Sequence, residues 1–395
     1  MTLDSVVDPS SPAWVAAPVR PRIAILGNKY WPSADGPSRV VEDIVSHLHD
    51  QFDFTLYTYR HAAARDHLPG VRVIEYGPYP GGVGGVFAFI AQSAWHAYRH
   101  AHQYDLVHVH KTDAAFCVPW LSRRLPVVIT SHERPYQRAK WSGPVKGYFR
   151  YMEQLFIRSC AARTAIAQPL AKFYTDTYGV PVQYIPNGVA PQLPCDEVGA
   201  RALLARHGVS GPFWLFAARR IIPTKGPQHL LRALRAIDFD GTLVIAGDER
   251  ERPAFTRALR QLAEGLDVRF IGLVEAKALL MGLVKAAQLF VFPSETEGMS
   301  IMLLEAASMG TPIVASDIPE NQAVFDAQSL RFFASGQVAD LARQLRWTAA
   351  HPTERQVLAQ HAQQQVRTKY DARSAAAQYA TLYRQWLAAT EAGTG

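Results

Sequence analysis

Short apolar runs alternate with helix-length segments along most of this chain. Residues 22–27 are apolar after Arg22 and end in Gly27, as a parallel strand buried on both faces should. A polar loop follows, and then Val40, Val41, Ile44, Val45 and Leu48 recur at the spacing of one helix face. Runs at 54–59, 71–77, 105–110 and 126–132 repeat the strand pattern. At 185–194 the periodicity gives way to Pro, Asn and Gly, which marks a linker. The alternation then restarts, with runs at 213–218, 242–247, 267–272, 289–294, 312–316 and 330–333. A helix begins at Pro227 and carries Leu230, Leu231, Leu234 and Ile237 on one face. Residues 336–391 are almost wholly helical in pattern. The grammar predicts an α/β protein built from two Rossmann-like, doubly wound parallel sheets that face a cleft. The divisions expected are a flexible tail at 1–20, a first domain at 21–190, a second at 191–375, and a final helix at 376–395 that could cross back to the first. In such sheets ligands bind at the carboxyl ends of the strands.

Composition agrees with a folded chain. Its 395 residues suit two cores and 48% of them are hydrophobic. Cys117, Cys160 and Cys195 are too few and too scattered for a disulfide framework or a zinc site. No stretch reaches the roughly 18–20 apolar residues of a spanning helix. The first residues lack a basic stretch followed by an apolar core, so a cytoplasmic location is expected. The net charge of +7 is concentrated: between Arg123 and Lys172 ten Lys and Arg stand against Glu133 and Glu153. Such a segment favours anionic partners. No recognisable nucleic-acid-binding module accompanies it.

The strongest chemical signal follows the run at 289–294. Glu297 and Glu305 stand eight residues apart, with Gly298, Met299 and Ser300 opening a helix that Gly310 closes. A helix N-terminus offers unpaired N–H groups and about half a positive charge, which suits a diphosphate. Eight helical residues span about 12 Å, so one carboxylate could meet sugar hydroxyls and the other a ribose diol. Arg220 and Lys225 follow another predicted strand and would converge on the same diphosphate, neutralising charge on a departing phosphate oxygen.

This combination resembles glycosyltransferase family 4, a retaining family on the two-domain GT-B fold, and the likeness runs over most of residues 22–390. Glu297–Glu305 looks like that family's Glu-x7-Glu element, Arg220 to Gly226 like its Arg/Lys motif, and Ile185–Val189 like its interdomain segment. Arg219 stands where the family commonly has Gly. Gly36 lies where the family usually shows paired glycines, and Asp35-Gly36-Pro37 departs from that. His132 matches the family's His near the donor sugar. Residues 131–141 resemble bacterial polysaccharide-assembly transferases such as rhamnosyltransferases. The resemblance implies transfer of a hexose from a nucleotide-sugar to a glycan or polyprenyl-diphosphate-linked acceptor, without a metal or other cofactor. It implies catalytic roles for His132, Arg220, Lys225 and Glu297. Gly36, Gly298, Met299, Ser300 and Glu305 complete the donor-binding set.

Two metal-like motifs are read as structural. Asp238-Phe239-Asp240 precedes a strand, at the wrong sheet end for the site, and His108 and His110 lack a third ligand of suitable spacing. A helix over 145–158 would carry Val145, Tyr148, Phe149, Met152, Leu155 and Phe156 on one face and Lys146, Arg150 and Arg158 on another, and could rest on the inner membrane surface. The glycine-rich segment 77–86 could be an acceptor loop or a plain connection. Rival readings are a non-catalytic nucleotide-sugar-binding protein, a nucleotide-sugar epimerase and a phosphorylase on the same fold. A non-catalytic protein should have lost some of His132, Arg220, Lys225 and Glu297, and all four are present. An epimerase should lack the Arg/Lys and Glu-x7-Glu combination, and a phosphorylase needs a pyridoxal-binding Lys and a longer chain.

Overall fold

A computed structural model of the protein describes residues 20–33, 36–60, 68–77, 79, 82–137 and 141–392. The expected tail lies outside them except for Arg20, as do Asp35, Arg138, Lys140 and part of the glycine-rich segment 77–86.

The first sheet contains β1 (Arg22–Leu26), β2 (Asp53–Tyr59), β3 (Val71–Tyr76), β4 (Leu106–His110), β5 (Val127–Ser131), β6 (Ala162–Ala165) and β7 (Gln183–Tyr184), in the spatial order 3-2-1-4-5-6-7. The second contains β8 (Phe213–Arg220), β9 (Thr242–Asp248), β10 (Asp267–Gly272), β11 (Leu289–Phe292), β12 (Ile313–Ser316) and β13 (Arg331–Phe333), in the order 10-9-8-11-12-13. Every pairing is parallel. Helices cover both faces, so the central strands must be apolar or have their polar groups hydrogen-bonded, and β4, β5, β11 and β12 are buried at every position. The periodicity did not reveal β6 and β7. The first is short and carries Arg163 and Thr164, and the second has two residues at a sheet edge, where no continuous apolar run is required.

Winding direction reverses between β1 and β4 in one sheet and between β8 and β11 in the other. Those two points are where loops splay apart and leave crevices at the strand ends. The chain crosses between the halves twice. Val189 accepts from Ala372 N and its own N–H donates to Tyr370 O, tying the linker to the start of the last helix, Ala372–Ala392. A Cβ on Gly188 would overlap the Ala372 backbone, so only glycine allows this crossing. The last helix lays Tyr379, Ala380 and Tyr383 into a core with Ile23, Val41, Ile44 and Phe52 of the first half. Tyr383 meets Phe52 edge-on at 5.6 Å between ring centres.

The helix expected at 145–158 spans Gly143–Arg158, and its apolar face is turned inward. Phe149, Met152 and Phe156 are buried, and the Tyr148 hydroxyl donates to Asp113 O at 3.1 Å. The face assigned to a membrane is therefore spent on the domain's own core. Its cationic neighbourhood is likewise partly consumed internally: Arg134 sits 3.9 Å over the Phe173 ring, and Arg163 donates to the Ile157 carbonyl at 3.2 Å.

Candidate active site

The crevices of the two sheets face each other across one cavity of about 670 Å³, a volume suited to a small organic ligand. The first half contributes Lys29, Gly36, Lys111, His132 and Glu133. The second contributes Arg220, Lys225, Glu297, Gly298, Met299 and Ser300.

In the second half two loops form the wall. Gly226 adopts φ 74°, a left-handed conformation that favours glycine, and a Cβ there would overlap the Pro293 carbonyl. The loops after β8 and β11 therefore touch, helped by a Glu295 N–H donating to Thr224 O at 2.9 Å and by a His229–Glu295 contact at 2.6 Å. This contact brings Lys225 Nζ to 2.6 Å from Glu297 Oε1 although 72 residues separate them. Arg220 holds Glu251 with one guanidinium nitrogen at 3.0 Å. A guanidinium has five N–H donors, so others remain for a phosphate. The helix after the second loop runs Ile301–Ser308, capped by Ser300, whose hydroxyl accepts from Leu303 N.

Glu305 is placed differently from its expected partner. It is buried, does not line the cavity, and is ion-paired with Lys277, a residue that motif spacing did not single out. Burial, the largest influence, pushes the Lys277 ammonium pKa down, while Glu305 opposes that shift. Gly36 does line the cavity, as the first residue of the helix Gly36–Leu48, with open space where a Cβ would be.

The first half supplies a stack of buried imidazoles. His110 pairs in register with Thr130, so His132, two residues further along, is its diagonal neighbour on the same side. His110 Nδ1 lies 3.1 Å from His132 Nε2, while His108 bridges Thr130 and Tyr383, each at 2.7 Å. Desolvation drives the pKa of His132 well below the usual histidine range, with like-charge repulsion from His110 and Lys111 adding to it. The same burial takes His110 down to about 3. Both rings are therefore neutral hydrogen-bonding groups at working pH. Turnover between about pH 5.5 and 8 should show no inflection from His132, because acidification over that window leaves its ring uncharged. A rate limb that disappeared in a His132 variant would contradict this.

Strand order was needed to find His110, since nothing in its spacing to His132 marks the pair. His110→Leu would leave His132 Nε2 buried without a partner, at about 1–3 kcal/mol. We expect kcat to fall roughly tenfold or more, whereas His110→Asn, which keeps a polar atom at the Nδ1 position, should restore most of it. Side-by-side kcat, KM and melting temperatures separate this effect from unfolding.

Asn187, in the linker, was also not foreseen as a cavity residue. Its side-chain amide donates to Met299 O at 3.0 Å, holding the loop after β11 against the linker. Asp238 adopts φ 49° in the turn before β9, at the amino end of that strand, as the sequence reading placed it. Among the described residues no group of three or more His, Cys, Asp and Glu is arranged to hold a metal ion.

Two parallel sheets with apposed switch points, and cations beside a helix N-terminus on one wall of the cleft between them, define a GT-B-type, nucleotide-sugar-dependent glycosyltransferase. Residues 34–193 match the model of the family described as Glycosyltransferase Family 4, and residues 211–351 that of Glycosyl transferases group 1. The chain belongs to glycosyltransferase family 4.

It is 29% identical over 284 residues to the D-inositol 3-phosphate glycosyltransferase of Xylanimonas cellulosilytica, covering 64% of this chain and 67% of that one. It is 30% identical over 227 residues to the phosphatidyl-myo-inositol mannosyltransferase of Mycobacterium leprae, covering 54% of this chain and 56% of the relative. The fold superposes on sucrose-phosphate synthase from Thermosynechococcus elongatus with a TM-score of 0.80 at 21% identity, over 94% of this chain and all of that one.

Proposed function

We propose that this enzyme transfers a hexose, with retention of anomeric configuration, from a nucleoside-diphosphate sugar to a hydroxyl of a lipid-linked or growing surface glycan. The observation that carries the reading is the Lys225–Glu297 pair at 2.6 Å on the cavity wall, in the loops after β8 and β11, with His132 lining the same space. Lys225, Arg220 and the backbone N–H groups entering the helix Ile301–Ser308 hold the diphosphate. Glu297 orients the donor sugar's hydroxyls, and the Glu305–Lys277 pair supports the helix behind that wall.

In the reaction the bond between the sugar's anomeric carbon and the phosphate oxygen breaks, its electron pair going to that oxygen. The acceptor hydroxyl attacks from the same face, and its proton passes to a donor phosphate oxygen. Arg220 and Lys225 stabilise the charge that builds on the leaving diphosphate, the work a divalent ion does in other transferases. His132, neutral and held by His110, offers a fixed hydrogen bond at the reacting centre. A lipid-linked acceptor is supported by the relative named for phosphatidyl-myo-inositol and by the apolar acceptor-side wall of Val83, Val86, Phe87, Trp141 and Phe149.

The test is a thermal-shift series with UDP, GDP, dTDP and ADP, followed by hydrolysis and transfer assays with the corresponding sugars. One nucleotide should raise the melting temperature clearly, and its sugar should be turned over equally well with and without EDTA. No stabilisation by any nucleotide would overturn the reading. Binding without turnover would favour a non-catalytic protein, and epimerised donor an epimerase. Loss in EDTA that returns with Mn²⁺ would show a metal-dependent enzyme.

A further inference from the structure

The helix Gly82–Arg99 buries Gly85, Phe89, Ile90, Ser93, Ala94 and Ala97 against the first sheet. Its opposite side carries Phe87, Ala91, Trp95 and Arg99 at four-residue spacing, one line along the surface. Phe87 is 43% exposed and Trp95 55%. Beside them the short helix Val118–Leu121 presents Pro119 and Trp120 and is followed by exposed Arg123 and Arg124. The rings form one group: Trp95 stacks with Tyr98 at 6.0 Å and tilts toward Trp120 at 6.5 Å, and the Arg124 guanidinium covers Tyr98 at 4.3 Å. Phe87 and Phe116 meet at 4.5 Å further along. Between residues 82 and 126 the two acids are Asp105, engaged by Arg22, and Asp113, which lines the cavity. The exposed face is therefore aromatic and cationic, with no carboxylate of its own segment.

We propose that this face docks on an anionic lipid bilayer. Tryptophan and tyrosine favour the headgroup level, where an apolar ring and a polar N–H or O–H are both accommodated. Arg99, Arg123 and Arg124 complement acidic headgroups, and a helix lying in the plane sinks its apolar side about 5–10 Å. Phe87 belongs both to this face and to the cavity lining, as Val83 and Val86 of the same helix line the cavity too. One helix thus carries apolar residues from the docking face to the lining of the cleft. The docking itself is independent of which acceptor is used and is measured without one.

The full chain is sedimented with phosphatidylcholine vesicles, with and without phosphatidylglycerol. Binding is expected with the anionic vesicles, weak with neutral ones, and reversed by salt. Trp95→Ala, and Arg123→Ala combined with Arg124→Ala, should each lower the affinity roughly tenfold or more. Neither change should alter stabilisation by nucleotide, since none of the three residues lines the cavity, and both variants should remain folded, since all three side chains are exposed. Absence of binding to anionic vesicles, or variants that bind like the parent, would overturn the proposal. So would light scattering that showed Trp95→Ala dissolving a dimer, which would assign the face to a second copy. Failure of the transfer assay would leave this result standing, and failure here would leave the donor site standing.

Discussion

Alanine at Lys225 is expected to lower sugar transfer by about 10²–10³-fold, the usual cost of deleting one fixed stabiliser of developing charge. The side chain is 26% exposed and that of its partner, Glu297, 11%, so water replaces the lost ammonium poorly. The effect should exceed charge loss alone, because Glu297 would remain as an uncompensated carboxylate facing the donor diphosphate. Glu297→Ala should be as damaging to transfer but for a different reason, and the two separate in binding. Without Glu297 the ammonium is free for phosphate, so stabilisation by nucleotide should persist or increase. Without Lys225 it should largely vanish. Circular dichroism and melting curves would establish that both variants fold. Full activity in either would remove the assignment of this wall to the donor.

Gly298→Ala should also impair the enzyme severely, through shape and not charge. A methyl at this position would overlap the His132 carbonyl oxygen across the cleft. Both partners are backbone at loop-to-element junctions, so neither can swing aside as a side-chain tip would. Overpacking of this kind costs about 1–3 kcal/mol, and the least costly relief is to part the two halves. The expected result is a fall in kcat/KM of roughly ten- to a hundredfold, with an increased radius of gyration in small-angle scattering and an almost unchanged melting temperature, since Gly298 lies outside both cores. Unchanged transfer and an unchanged radius would show that the halves do not need this close approach.

These two predictions draw on different kinds of information. The roles proposed for Lys225 and Glu297 follow from residue type and position after a strand, which the chain displays openly. The Gly298 role depends on a carbonyl 166 residues earlier, and no local pattern reveals it. The inward turn of the helix Gly143–Arg158 is a similar case. Its amphipathic spacing was correct, but periodicity states only that an apolar face exists, not whether a core or a membrane covers it.

By itself the sequence determined both parallel sheets, nearly all their strands, and the loops that carry Arg220, Lys225, Glu297 and His132. It could do so because a strand buried on both faces is mostly apolar, and because sites in such sheets collect at strand ends. Tertiary structure alone decided the pairing of His110 with His132, the capture of Glu305 by Lys277, and the meeting of Gly298 with the opposite half. Each of these depends on strand order or on the apposition of two cores, and the free energy that selects such arrangements comes from contacts between segments far apart in the chain.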